Sequence, residues 1–264
     1  KTAFDIEAVV GLPLLGIVPE IKKLGEAEEM AQNFTRNPDR EAAEAFATLY
    51  SAMQLKEESK NAQCILVTST VAGEGKSFIT THLAKTYASH GMKTVIVDCD
   101  LRRPAVQRVF HLENLKGVID VVAGEAKLDE VIVKNMGENL DVILTGGRSK
   151  SPTQALNSKA FALMLSELRK RYDRVFLDTP PVAIVSDALV LLPLVDGSIY
   201  SIYFNKARRK AAQYCAQRVL EANVPNFGAV LNGLKGGVGG YYYSHHYDKS
   251  YKQYYVNTDD KGLR

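Results

Sequence analysis

The chain has 264 residues, 46% of them apolar, which is enough for one large α/β domain with a sizeable core. Its 33 basic and 30 acidic side chains leave a net charge of +3, which gives no electrostatic support for a nucleic-acid surface. Cys64, Cys99 and Cys215 are odd in number and lack metal-ligand spacing, so they read as buried, reduced thiols rather than a disulfide framework or a metal site.

Residues 1–36, with Gly11-Leu12-Pro13 leading to Pro19, read as a leading segment ahead of the main domain. Asn37-Pro38-Asp39 then looks like a helix cap with proline at the first helical position. Ala42, Ala45, Phe46, Leu49 and Met53 share one face of that helix, which is expected to pack on a sheet or on another subunit.

The apolar run Ile65-Leu66-Val67 predicts a strand near 64–68, and Thr68-Ser69-Thr70-Val71-Ala72-Gly73-Glu74-Gly75-Lys76-Ser77 follows it. This is a phosphate-binding Walker A loop. Its glycines let backbone N–H groups converge on phosphate oxygens, and the next helix adds its positive dipole end. The pattern G-x-x-x-x-G-K-[ST] is met except that Thr70 stands at the first glycine position. Gly73, Glu74, Gly75, Lys76, Ser77 and Phe78 form the candidate cradle for a nucleoside triphosphate, with Lys76 reaching the outer phosphates and Ser77 offering its hydroxyl to Mg²⁺. A helix over Phe78–His90 closes at Gly91.

Strands are predicted near 94–98, 140–145, 174–178, 198–204 and 228–232, with further helices over Ser158–Tyr172 and Arg208–Asn223. The second strand ends in Asp98-Cys99-Asp100-Leu101-Arg102, two carboxylates that emerge at its carboxyl end. The fourth ends in Asp178-Thr179-Pro180-Pro181, where the prolines stop the strand. Hard oxygen ligands beside a phosphate cradle suit Mg²⁺, with Asp98 and Asp178 as candidate ligands beside Ser77. Strand and helix in alternation imply an α/β fold of the P-loop NTPase kind, a doubly wound and mainly parallel sheet with its ligand at the strands' carboxyl ends. The most apolar stretch, residues 182–204, is broken by Asp187, Pro193 and Asp196, so no membrane span is expected.

After the last strand the composition changes. Residues 233–240 hold five glycines, and Tyr241, Tyr242, Tyr243, Tyr247, Tyr251, Tyr254 and Tyr255 follow among polar residues. Without aliphatic partners these rings are not core material, so residues 241–264 are expected to be a flexible tail that presents phenol hydroxyls. His245-His246 is at most a weak metal site.

Walker A, the Asp98–Asp100–Arg102-Arg103-Pro104 segment, Asp178-Thr179-Pro180-Pro181 and a terminal tyrosine cluster together resemble the bacterial tyrosine kinases (BY-kinases), which belong to the polysaccharide co-polymerase proteins of capsule and exopolysaccharide synthesis. The resemblance covers nearly the whole chain, dividing it into a leading segment (1–36) like that after a membrane helix, a kinase domain (37–240) and a tail (241–264). It implies a kinase that uses ATP and Mg²⁺ at the cytoplasmic face of the bacterial inner membrane and phosphorylates tail tyrosines of neighbouring subunits. This fragment itself is expected to be soluble and part of a longer polypeptide. A membrane-spanning co-polymerase segment and a protein-tyrosine phosphatase are the implied partners. Lys76 corresponds to the phosphate-binding lysine, Asp178 to the Walker B carboxylate, and Asp98 and Asp100 to paired carboxylates, one near metal and one able to deprotonate the phenol. Arg102 is expected at phosphate or at a carboxylate, and Asn232 where related ATPases read adenine.

One departure concerns assembly. Glu44, Ala47 and Tyr50 stand where the family carries a Glu and two arginines that close a ring, so a weakened homo-oligomer is expected. Two rival readings share the motifs. A partitioning ATPase of the deviant Walker A type expects a second lysine where this chain has Val71. A non-enzymatic regulator would bind nucleotide only as a switch, which leaves the full set Lys76, Ser77, Asp98, Asp100 and Asp178 unexplained.

Overall fold

The computed structural model describes residues 6–20, 40–147 and 149–234. Among these, eight strands form one sheet: β1 (Leu14–Pro19), β2 (Cys64–Ser69), β3 (Thr94–Asp98), β4 (Ile132–Gly137), β5 (Leu140–Ile143), β6 (Arg174–Asp178), β7 (Gly197–Tyr203) and β8 (Asn226–Leu234). Their spatial order is β1-β8-β7-β2-β6-β3-β5-β4. All neighbours run parallel except β4 and β5, which are antiparallel.

Every residue of β2, β3 and β6 is buried. Such strands must be apolar on both faces, which is why they appear in the sequence as unbroken Val, Ile and Leu runs. Alternation sends Leu66, Val95, Val97, Val175 and Leu177 into one core, and Ile65, Val67, Ile96 and Phe176 into the other. Helices α1 (Arg40–Leu55) and α2 (Lys76–Ser89) cover the second face with Phe46, Leu49, Met53, Ile79, Leu83 and Tyr87. Helices α3 (Lys159–Arg171) and α4 (Arg209–Leu220) cover the first with Phe161, Leu165, Leu168, Ala216 and Val219. Each large apolar side chain so buried stabilises by roughly 1.5–3 kcal/mol before chain entropy is counted.

α3 begins where the Ser158 hydroxyl accepts the Phe161 N–H at 3.1 Å. Its last turn carries Arg169, whose guanidinium grips Asp196 at 2.7 and 3.0 Å. The same carboxylate accepts the Gln63 and Cys64 N–H groups at 2.9 and 2.7 Å, tying the start of β2 to α3 and β7. Although burial opposes it, Arg169 and these amides hold the Asp196 carboxyl below its usual range.

The predicted strands and longer helices are present, with ends shifted by a few residues. The helix carrying Ala42, Ala45, Phe46, Leu49 and Met53 buries all five within the chain, the last four in the core against the sheet. Two strands were not foreseen. Leu14–Pro19, placed in the leading segment, is the edge strand β1 paired to β8, so the sheet begins well before residue 37. A side chain at Gly16 would meet Leu49 of α1, which explains why a strand this close to a helix carries glycine. β4 was missed because its residues are half exposed and polar, as an edge strand allows. All three cysteines are buried free thiols, and burial pushes Cys64 up to about 12. No helix among the described residues is long and apolar enough to cross a membrane. The cap at Asn37-Pro38, the histidines 245 and 246 and the tyrosines 241–255 lie outside the described residues.

Candidate nucleotide site

The register of the central strands assembles the site. Val67 of β2 and Asp98 of β3 are both paired with Asp178 of β6, which places the Walker A loop and two carboxylates at one level of the sheet edge. On the other side of β2, Tyr203 of β7 is paired with Asn232 of β8. Between them lies a cleft of about 800 Å³ lined by Gly73, Gly75, Lys76, Ser77, Phe78, Asp100, Arg102 and Asn232.

Gly73 and Gly75 have φ of 76° and 87°, the left-handed region that the curled loop requires. A side chain at Gly75 would also collide with the Asn232 amide, which donates to the Glu74 carbonyl at 3.2 Å. Gly75 is the N-cap of α2, so the unpaired N–H groups of the first helical turn face the cleft. Thr70, at the expected glycine position, is buried with its hydroxyl 3.0 Å from the Tyr200 hydroxyl. The Glu74 side chain does not line the cleft. It is fully buried and accepts the Val71 N–H at 2.8 Å and the Tyr203 N–H at 3.4 Å, so it braces the loop from behind, leaving its backbone for phosphate. Phe78 lies against His82, ring centroids 4.2 Å apart, at the cleft wall.

The three aspartates differ in setting. Asp100 lines the cleft and accepts the Arg103 N–H at 2.9 Å. Burial raises its pKa, while the Arg103 amide and Lys76 oppose the rise. Asp98 is fully buried, with one oxygen accepting the Asp100 N–H at 3.1 Å and the other the N–H groups of Ala105 and Val106 at 3.2 and 3.1 Å. It therefore anchors the loop after β3. Burial, then the Asp178 charge, raise its pKa well above the carboxylate range. Burial also lifts Asp178 to about 6, against the pull of the Lys76 ammonium and the Ser77 hydroxyl. Asp178 Oδ1 accepts a long 3.5 Å bond from Thr80, whereas its Oδ2 is buried without a partner among the described residues.

A buried carboxylate oxygen with no donor, next to a second buried carboxylate, is the arrangement a hard cation relieves. Mg²⁺ takes only one or two protein carboxylates and keeps several waters. The residues at this corner fit it even though no group of three acidic, His or Cys ligands forms a ready-made cage among the described residues.

Arg102 is engaged differently from a phosphate clamp. Its Nε and its second guanidinium nitrogen bind Asp187 at 2.8 and 3.2 Å, and Thr153 donates to the same carboxylate at 2.5 Å. Asp187 is wholly buried, so the pair ties the loop after β3 to the short helix that follows β6. Sequence reasoning missed Asp187, Glu74 as a brace and Tyr203. The only local signal was Ser186-Asp187 ahead of an apolar run, and nothing in it points 85 residues back to Arg102.

A Walker A loop at the end of a central parallel strand, flanked by strand-end aspartates, defines a doubly wound P-loop nucleotide-binding domain. Residues 62–192 match the AAA domain family model. Tyrosine-protein kinase CpsD of Streptococcus pneumoniae serotype 4 is 32% identical over 203 residues, 76% of this chain and 88% of that protein. The solved kinase domain of the Escherichia coli tyrosine kinase Etk superposes with a TM-score of 0.80 at 26% identity, covering 89% of this chain and 95% of that one. Tyrosine-protein kinase ptk of Acinetobacter johnsonii is longer. It is 27% identical, and the match spans 91% of this chain but 34% of that protein. The chain belongs to the bacterial tyrosine-protein kinases, and its activity is that of a protein-tyrosine kinase.

Proposed function

We propose that the domain transfers the γ-phosphoryl group of ATP, with Mg²⁺, to tyrosines in the 241–264 segment of a neighbouring copy. The unpartnered Asp178 Oδ2 beside Lys76 and the Walker A loop carries the nucleotide part of this reading. The loop amides and the α2 N-terminus would hold the β- and γ-phosphates, with Lys76 neutralising charge on the transferring group. Ser77 and Asp178 would hold the metal, directly or through water, with the buried Asp98 carboxyl behind them. Bound there, magnesium would screen phosphate charge and orient the transferring group. Asp100, open to the cleft and raised in basicity by burial, is placed to accept the phenol proton late in a loose transition state. Asn232, at the end of β8 beside Gly75, would contact the base.

The acceptors follow from seven tyrosines in a glycine-led segment, and ATP with magnesium followed by anti-phosphotyrosine detection is the direct test. Because that segment holds only two aliphatic side chains, Val256 and Leu263, deleting 241–264 should leave the thermal midpoint within about 2 °C, keep ATP turnover and remove most phosphotyrosine. Main phosphorylation at Tyr87, which is buried, or at Tyr172 would contradict it.

The biological setting we propose is control of polysaccharide synthesis or export from the cytoplasmic face of the inner membrane, beside a membrane-spanning co-polymerase segment and opposed by a phosphatase. The length of ptk relative to this chain supports a fused or partnered membrane part. For assembly, Ala47 is exposed on α1, whereas Tyr50 is half buried and stacks on His90 with centroids 4.0 Å apart. Neither offers the charge-assisted contact an arginine would, so the isolated domain should be monomeric or weakly associated in dilute solution. Ala47→Arg with Tyr50→Arg should raise ring formation and autophosphorylation together, read by light scattering and phosphotyrosine yield. A stable closed ring of the unaltered chain would overturn this.

A further inference from the structure

The geometry points to Lys206 as a second phosphate-contacting cation, reaching the Walker A loop from the β7 side. The inference rests on the nucleotide-site reading above and adds to it a residue that no motif contains.

Lys206 sits in the turn after β7, and that turn is fixed. Asn205 has a left-handed φ of 56°, the Lys206 N–H donates to the Tyr203 carbonyl at 3.2 Å, and the Phe204 N–H donates to the Asn232 carbonyl at 2.8 Å. From there the side chain runs onto the cradle. A Cβ placed on Gly73 would stand 2.5 Å from the Lys206 Nζ and 3.2 Å from its Cε, so the ammonium and the end of its stem lie on the Gly73 backbone. Among the described residues the ammonium also lies over the Tyr203 ring, 5.7 Å from the ring centroid. Gly73 and Tyr203 both line the cleft.

A glycine backbone and an aromatic face attract an ammonium but do not neutralise it. Arg103 and Arg108 also line the cleft, but the two cations nearest the metal corner already face carboxylates. Lys76 faces the two carboxylates whose pKa values it lowers, Asp100 and Asp178, and Arg102 is held by Asp187. A triphosphate laid along the loop brings several negative charges past Gly73. Lys206, exposed and on a flexible stem anchored by a rigid turn, meets them with a small movement of its terminal atoms. Gly73 is then required twice, for its positive φ and for the lysine that crosses it.

A bracing role for the stem and a charge role for the ammonium make different predictions, and two variants of the full chain separate them. Lys206→Met keeps the stem and loses the charge, while Lys206→Arg keeps the charge. Dissociation constants for ATP, ADP and adenosine are measured with magnesium at two salt concentrations. Lys206→Met is expected to weaken ATP and ADP about tenfold, leave adenosine unchanged and flatten the salt dependence, whereas Lys206→Arg retains most of the affinity. Unchanged ADP affinity in Lys206→Met overturns the inference, as does equal loss for adenosine and ADP, which would assign the residue to loop support. If the unaltered chain bound neither ATP nor ADP, the nucleotide-site reading itself would fail before any variant was compared.

Discussion

Lys76→Met is expected to lower tyrosine phosphorylation by at least about a hundredfold, and its effect should reach beyond the lost phosphate contact. The ammonium is nearly buried and lies beside Asp100 and Asp178, lowering both pKa values against the burial that raises them. Methionine fills the same space but leaves two buried carboxylates less compensated, so both should become harder to ionise. The variant should therefore fold and yet need higher pH for magnesium-dependent nucleotide binding, because the metal corner must ionise to hold a cation. Circular dichroism, nucleotide titrations between pH 6 and 9 and phosphotyrosine detection read the three effects. Near-normal autophosphorylation would remove Lys76 from the mechanism, and loss of the folded state would show that its structural role dominates.

The second large effect is a gain in stability from damage to the site. Burial lifts the folded pKa of Asp178 to about 6, above its ordinary value of 3.8. A carboxyl raised in this way contributes fully to stability below about pH 4, and that contribution is lost as pH rises through about 6. At pH 7.5, without nucleotide, the chain carries a buried charge with one oxygen unsatisfied among the described residues. Asp178→Asn removes that charge while keeping the shape, and a shift of this size corresponds to at most ~3 kcal/mol. For a domain this long the thermal midpoint of the ligand-free protein should rise by roughly 3–8 °C at pH 7.5 and by little at pH 4. Magnesium-dependent nucleotide binding should fall at least about tenfold. A midpoint that drops at pH 7.5, or a magnesium titration identical to that of the unaltered chain, would falsify the assignment.

Much of the site was legible because its chemistry is local in sequence. Gly73, Gly75, Lys76 and Ser77 occupy one loop whose conformation depends on residues within it, and Asp98 and Asp178 end strands that announce themselves as unbroken apolar runs. The division of labour among the aspartates was not legible. Asp98 and Asp100 are two residues apart, yet one anchors Ala105 and Val106 while the other opens to the cleft. Which does which depends on how the 99–106 loop folds back, a path that no spacing rule specifies.

By itself the sequence determined the fold class, the central strands, the phosphate loop and the apolar face of α1, since each is set by a period or a motif spanning a dozen residues or fewer. The tertiary structure alone decided contacts between residues far apart in the chain: β1 against β8, Arg102 with Asp187, Glu74 with Tyr203, and Lys206 across Gly73. β1 is short and half exposed, so its pattern could not be told from a loop until β8 supplied a partner strand. The side-chain pairings arise because parallel crossovers bring distant loops to one edge of the sheet, and a long-range pairing of that kind leaves no periodic trace in the residues that make it.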